Sequence, residues 1–123
     1  MKGMIWNCRS IKKSGVASFL KNLILEHKFL FIGLLETMQV DKDDTIIRQI
    51  DVKQCYLWKW LPSKGKSGGL LCGVHTSKFD EGAFVEGNKL MLQLNLWDKT
   101  LKKWNFINVY GATQEERKII LFS

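Results

Sequence analysis

A chain of 123 residues, 46% hydrophobic and 25% charged, has the make-up of one small globular domain, which excludes general disorder, collagen and low-complexity spacers. Nineteen lysines and arginines against twelve aspartates and glutamates leave a net charge of +7, so the expected partners are polyanions (DNA, RNA or an acidic membrane face) unless the excess is only a solubilising surface. The longest charge-free, mostly apolar run, Phe29–Leu35, is far too short to cross a bilayer, and Met1 and Lys2 lead straight into strand-like sequence, which leaves no signal peptide.

Gly3–Asn7 (GMIWN) reads as a short buried strand. Ser14 offers a helix cap, and Val16, Phe19, Leu20, Leu23 and Ile24 form the apolar stripe of an amphipathic helix, with Lys21, Asn22, Glu26 and His27 on its wet side. Phe29–Leu35 (FLFIGLL) fits a central strand. Strand, helix and strand over so short a span is a βαβ-like opening, which places the two strands in one sheet. Asp41–Asp44 is an acidic break, and Thr45–Ile50 is a short helical turn or irregular. Tyr56–Leu61 alternates as a strand, with Tyr56, Trp58 and Trp60 on one face. Pro62–Gly69 (PSKGKSGG) is a turn or loop, and Gly68–Val74 a further strand. Leu90–Trp97 and Trp104–Tyr110 read as a hairpin around the charged connector Asp98–Lys103, with Trp97 and Trp104 at its base. Thr113–Glu116 (TQEE) is a capping box that announces a helix running into Ile119, Ile120 and Phe122.

Cys8, Cys55 and Cys72 are widely spaced and odd in number, as reduced intracellular thiols are, and neither His27 nor His75 has a partner at zinc-ligand spacing. Lysine dominates the positive charge, since Arg9, Arg48 and Arg117 are the arginines. That balance suits attraction to a phosphate backbone more than reading of bases.

Four places can carry chemistry. Asn7 ends an apolar strand, where a carboxamide can donate to a phosphate oxygen or orient an acid; the plainer alternative is a turn residue. Glu36 ends FLFIGLL, at the carboxyl end of a strand where α/β sheets form their ligand crevice, and can hold Mg²⁺; the plainer alternative is a solvated glutamate. Asn108 and Tyr110 share a strand face within NVYG, where a tyrosine can meet phosphate or pack in the core. Lys64, Lys66 and Ser67 lie in a glycine-bearing loop; it lacks Walker A spacing and precedes a strand pattern, which leaves a basic loop against phosphate or a solvated turn.

The order of these features is more specific than any one of them. A strand ending in WN, an amphipathic helix, an apolar strand ending in ET, a KSGG strand after an aromatic strand, and then NVYG resemble the amino-terminal half of the endonuclease/exonuclease/phosphatase superfamily. The wording is most similar to the apurinic-endonuclease-like domain of plant LINE-type retrotransposons, from Met4 to about Arg117. The resemblance implies an α/β fold of the DNase I type, a four-layer sandwich with mixed β-sheets, and phosphodiester cleavage with Mg²⁺ or Mn²⁺. It implies that Asn7 holds the hydrogen-bond network of the site, that Glu36 binds the metal, and that Tyr110 contacts the scissile phosphate. Ser67 matches the loop serine.

The chain departs from the pattern in places. Ser10 stands where glycine is common, Arg9 where some members carry a metal-binding aspartate, and Leu35 where glutamine precedes the metal glutamate. The family's GDFN and SDH motifs, which orient nucleophile and phosphate, do not occur in these residues. The expectation is therefore a truncated, degenerate retrotransposon endonuclease domain over residues 1–123, ancestrally nicking DNA and inactive alone. It would be intracellular, in nucleus or cytoplasm, with one sheet's inner face uncovered and prone to self-association. The alternatives are a non-catalytic basic nucleic-acid-binding fragment and a phosphoesterase completed in trans.

Overall fold

The computed structural model describes residues 3–63, 68–86, 91–98, 103–109 and 119–122, with side chains described for 3–63 and 68–79. Its elements in chain order are β1 (Gly3–Asn7), α1 (Val16–Glu26), β2 (Phe31–Leu35), α2 (Asp44–Ile50), β3 (Tyr56–Leu61), β4 (Leu70–His75), β5 (Phe79–Glu86), β6 (Met91–Asp98), β7 (Lys103–Val109) and β8 (Ile119–Phe122). The strands form a five-stranded sheet in the order β3-β4-β2-β1-β8 and a three-stranded sheet in the order β5-β6-β7.

The βαβ opening is as the hydrophobic pattern predicts. β1 and β2 pair in parallel, Gly3 opposite Phe31 and Asn7 opposite Leu35, with α1 as the crossover. β2 lies in the middle of its sheet, and all five of its residues, on both faces, are buried; that is why it reads as an unbroken apolar run. β4 runs antiparallel to β2 and β3, making the sheet mixed.

Both helices feed one core. Met4 and Trp6 of β1, Ile32 and Leu34 of β2, and Leu71 of β4 meet Val16 and Leu20 of α1 and Ile46 and Ile50 of α2. Burial of such side chains stabilises by about 1.5–3 kcal/mol each. Phe19 stays 42% exposed but sets its ring edge-on to Trp6, 5.1 Å between centroids. Ser14 is not the cap of α1. Gly15 is, in the left-handed region at φ 86, with no side-chain hydrogen bond; Gly15 takes that conformation without the Cβ clash a serine would meet. α2 is a true helix, capped by Asp43, whose side chain accepts the Thr45 N–H at 3.0 Å.

A polar hub ties β3 to the loop before it. Asp51 is buried, and its carboxylate accepts N–H groups from Cys55 (3.0 Å), Tyr56 (3.1 Å) and Trp58 Nε1 (2.9 Å). The Tyr56 hydroxyl donates to the Phe29 carbonyl at 2.7 Å. Burial first, and then the Asp51 charge, hold the Tyr56 phenol far above its usual range.

Two expectations are corrected, and one strand was not read. Ile119–Phe122 is not helical: it is β8, antiparallel to β1, with Trp6 opposite Ile119 and Gly3 opposite Phe122. The exposed edge of β1 offers unpaired backbone groups, and a run of Ile-Ile-Leu-Phe satisfies them as a strand better than one apolar face of a short helix can. The capping box at 113–116 lies outside the described residues. Second, β5 is a strand that the sequence pattern does not announce; its pairing with β6 shifts register between Phe79 and Phe84, and such irregularity hides a period of two. Third, among the described residues the face of β2 and β4 opposite the helices is not bare. Phe31, Leu35, Leu70, Cys72 and Val74, opposite the helices, are all 5% exposed or less, and the chain contributes strands to two sheets rather than one. β6 and β7 pair antiparallel as expected, although Trp97 lies opposite Lys103, and Trp104 opposite Leu96.

Candidate active site

Because β1 and β2 are parallel, their carboxyl ends lie at one edge of the sheet. The ladder continues past them into the loops. Cys8 N–H donates to Leu35 O (3.1 Å), Ser10 N–H to Glu36 O (2.7 Å) and Ile11 N–H to Thr37 O (3.1 Å). From the other side, Thr37 N–H donates to Gly69 O (3.2 Å), Met38 N–H to Gly68 O (2.6 Å) and Ser63 N–H to Gln39 O (2.7 Å). Residues 8–11, residues 36–39, and Ser63, Gly68 and Gly69 are thereby laced together around Glu36.

Backbone strain gathers at the same edge. Arg9 (φ 47), Ser10 (φ 90), Glu36 (φ 53) and Met38 (φ 59) are all left-handed without being glycine. Each costs on the order of 1 kcal/mol or more, and such residues persist where the surroundings over-determine them. The hydrogen bonds just named do so here, and clustering of this kind marks functional edges.

Asn7 and Glu36, both singled out by sequence, lie at this edge. Asn7 is buried, and its Oδ1 accepts the Arg9 N–H at 3.2 Å. Glu36 is half-buried one residue beyond Leu35, the strand partner of Asn7. Asn108 sits on β7 opposite Leu92, in the other sheet. Lys64, Lys66, Ser67 and Tyr110 lie outside the described residues; Ser63 and Gly68, which flank the loop 64–67, are both bonded to residues 37–39. Sequence reasoning missed Arg9, Ser10 and Met38 as strained positions, and nothing in the sequence signals a left-handed arginine, serine or methionine. It also gave no role to Gly68 and Gly69, although a double glycine beside a strand was a visible cue.

The donor chemistry suits a hard divalent cation in kind. Glu36 offers a carboxylate, and Mg²⁺ takes one or two carboxylates with water and phosphate oxygens for the rest. Among the described residues no group of three or more His, Cys, Asp or Glu is gathered that could hold a metal. Elsewhere, a cavity of about 380 Å³ opens between α1 and α2, lined by Lys12, Lys13, Ser14, Asp43 and Gln49 among others. Lys12 pairs with Asp43 there at 3.2 Å, mostly in solvent, and this hydrogen bond leads the causes that lower the Asp43 carboxyl from its ordinary value. No described helix is long and apolar enough to cross a membrane.

Comparison with known proteins finds likeness in structure. No protein-family model matches the sequence, and no curated protein matches it. The structure is similar to that of the AP endonuclease LMAP from Leishmania major, with a TM-score of 0.61 and 19% identity, over 90% of this chain and 40% of that one. The catalytic domain of Xenopus laevis APE2 is similar over 89% of this chain and 45% of its own, at 18% identity and a TM-score of 0.48. The chain therefore spans less than half the length of these two structures. At the level of the first, what is shared is the fold: this chain is an α/β unit with part of a DNase I-like architecture.

Proposed function

We propose that these residues are part of a nuclease domain that cleaves phosphodiester bonds in DNA with Mg²⁺ or Mn²⁺, of the kind carried by LINE-type retrotransposons. The observation that carries this reading is Glu36, strained and half-buried just past the carboxyl end of β2, its carbonyl accepting the Ser10 N–H and the next two residues, Thr37 and Met38, bonded to Gly69 and Gly68. The order of the WN, ET, KSGG and NVYG motifs supports the retrotransposon assignment. A divalent ion at this edge would polarise a phosphoryl oxygen and offset its charge. On the protein side, Glu36 would hold the ion, Asn7 would orient groups at the strand ends through its carboxamide, and Tyr110 would donate to the phosphate.

The 123 residues contain neither GDFN nor SDH. Phosphodiester hydrolysis needs an activated water and charge stabilisation together with the ion. The chain alone is expected to leave supercoiled plasmid uncut in Mg²⁺. Joined to a segment carrying GDFN and SDH, it is expected to nick, and Glu36→Ala should abolish that activity. Nicking by the chain alone, or nicking by the completed protein that ignores Glu36→Ala, refutes the proposal.

A second reading is favoured by the charge of +7 and by exposed Arg9, Lys12 and Lys13 on the loop bonded to Glu36 and Thr37. On that reading the chain binds a nucleic-acid backbone without cutting it. Affinity for duplex DNA should then fall steeply with salt and be indifferent to sequence; binding that salt leaves unchanged rules it out.

A further inference from the structure

Glu36 is pressed from one side by Gly68, and its neighbour Thr37 by Gly69. A Cβ placed on Gly68 would stand 3.0 Å from Glu36 Cα, 3.0 Å from Glu36 Cγ and 3.2 Å from Glu36 Cβ. One placed on Gly69 would stand 2.9 Å from Thr37 Oγ1 and 3.0 Å from Ser63 N. The two positions differ in an informative way. Gly69 is left-handed at φ 83, so its backbone alone demands glycine, whereas Gly68 does not adopt a positive φ. What excludes a side chain at Gly68 is the body of Glu36.

The contact cannot relax easily. Met38 N–H to Gly68 O and Thr37 N–H to Gly69 O hold the glycine step against residues 36–38, while Ser10 N–H to Glu36 O holds Glu36 from the opposite side. Thr37, beside it, is fully buried, and its hydroxyl has no hydrogen-bond partner among the described residues. Close packing, rather than polar bonding of that side chain, fixes the step.

We infer that Gly68 is a positioning residue for Glu36: the missing Cβ sets where the Glu36 carboxylate stands at the end of β2. The use of that carboxylate rests on the nuclease reading above; the geometric part does not. An added methyl at 3.0 Å requires Glu36 to move by a few tenths of an ångström, and an isopropyl group by more. Functional groups need placement within about 0.5 Å, so the effect on ion binding is graded rather than absolute.

The test uses the whole chain, isotope-labelled, as wild type and as Gly68→Ala, Gly68→Val, Glu36→Gln and Leu20→Ala. The last lowers stability from within the α1 core, far from the edge in question. Residual dipolar couplings and contacts between protons of Glu36 and residue 68 report placement without any metal. They are expected to shift in Gly68→Ala and further in Gly68→Val, while those of α2 stay; unchanged couplings at Glu36 in Gly68→Ala overturn the inference, whether or not Gly68→Val folds. Mn²⁺ is then titrated, read by broadening of the Glu36 signals. Gly68→Ala should require about three- to tenfold more Mn²⁺, Leu20→Ala no more than wild type, and Glu36→Gln should abolish site-specific broadening. Equal Mn²⁺ demand in wild type and Gly68→Ala also overturns it. Shifted couplings with no Mn²⁺ effect on wild-type Glu36 would instead uphold the positioning and reject the metal role of the carboxylate.

Discussion

Trp58 of β3 lies across Gly73 of β4, its direct strand partner: a methyl group on Gly73 would come within 2.7 Å of the indole ring at Cζ3 and 2.8 Å at Cε3. The ring cannot swing away freely, because its Nε1 donates to the buried Asp51 carboxylate at 2.9 Å. Gly73→Ala should therefore destabilise the chain by about 1–3 kcal/mol through overpacking. Urea unfolding measures it. Pairing the substitution with Trp58→Val should recover part of the loss, and strictly additive effects would show that the two positions are not coupled.

Asp51 makes a second prediction. One carboxylate oxygen accepts from Cys55 and the other from both Tyr56 and Trp58. Asp51→Ala leaves these donors without their acceptor, a loss on the order of 3 kcal/mol. Asp51→Asn keeps the shape but turns an amide NH₂ towards at least one N–H, so it should destabilise as well and alter Trp58 fluorescence. An asparagine variant within about 0.5 kcal/mol of wild type, the range of inert surface changes, would deny the hub its role.

His75 sets a pH dependence. Burial first, then the Lys28 charge, hold its imidazole below the ordinary value of 6.5, with the Asp51 charge opposing. Its Nδ1 accepts the Ser77 N–H at 3.1 Å, a bond that a protonated nitrogen cannot make. The unfolded chain therefore takes up the proton first as pH falls. Stability should decline from about pH 6.5 downward and level off below the folded-state value. His75→Asn, which keeps an acceptor but cannot titrate, should flatten the profile of melting temperature between pH 7.5 and 5; an unchanged slope would assign the decline to other groups.

Thiol reactivity separates the three cysteines. Cys8 and Cys72 are buried and Cys55 is half-buried. Burial pushes the Cys72 thiol up to about 12, with Lys59 opposing weakly. A disulfide reagent at pH 8 should titrate Cys55 rapidly in the folded chain and the other two only on unfolding. Rapid labelling of Cys72 would mean that the sheet opens far more readily than its packing indicates.

The βαβ opening, the central place of β2, the aromatic strand β3 and the β6–β7 pairing could all be read from residue order, because each is a matter of local periodicity. A strand buried on both faces is apolar throughout, and a helix against a sheet is apolar on a stripe. The strand-end positions of Asn7 and Glu36 were legible for a related reason: polar residues closing apolar runs mark strand ends. Other features answer to partners distant in the chain. Ile119–Phe122 is a strand because β1 presents an open edge more than a hundred residues earlier. Gly68 is confined by Glu36, and Gly73 by Trp58, through contacts across strands that no spacing reveals. The left-handed Arg9, Ser10, Glu36 and Met38 are held by hydrogen bonds between three separate loops. Local energies choose which elements form, but strain, edge pairing and close approach depend on what folding brings alongside, and the candidate site is built from those.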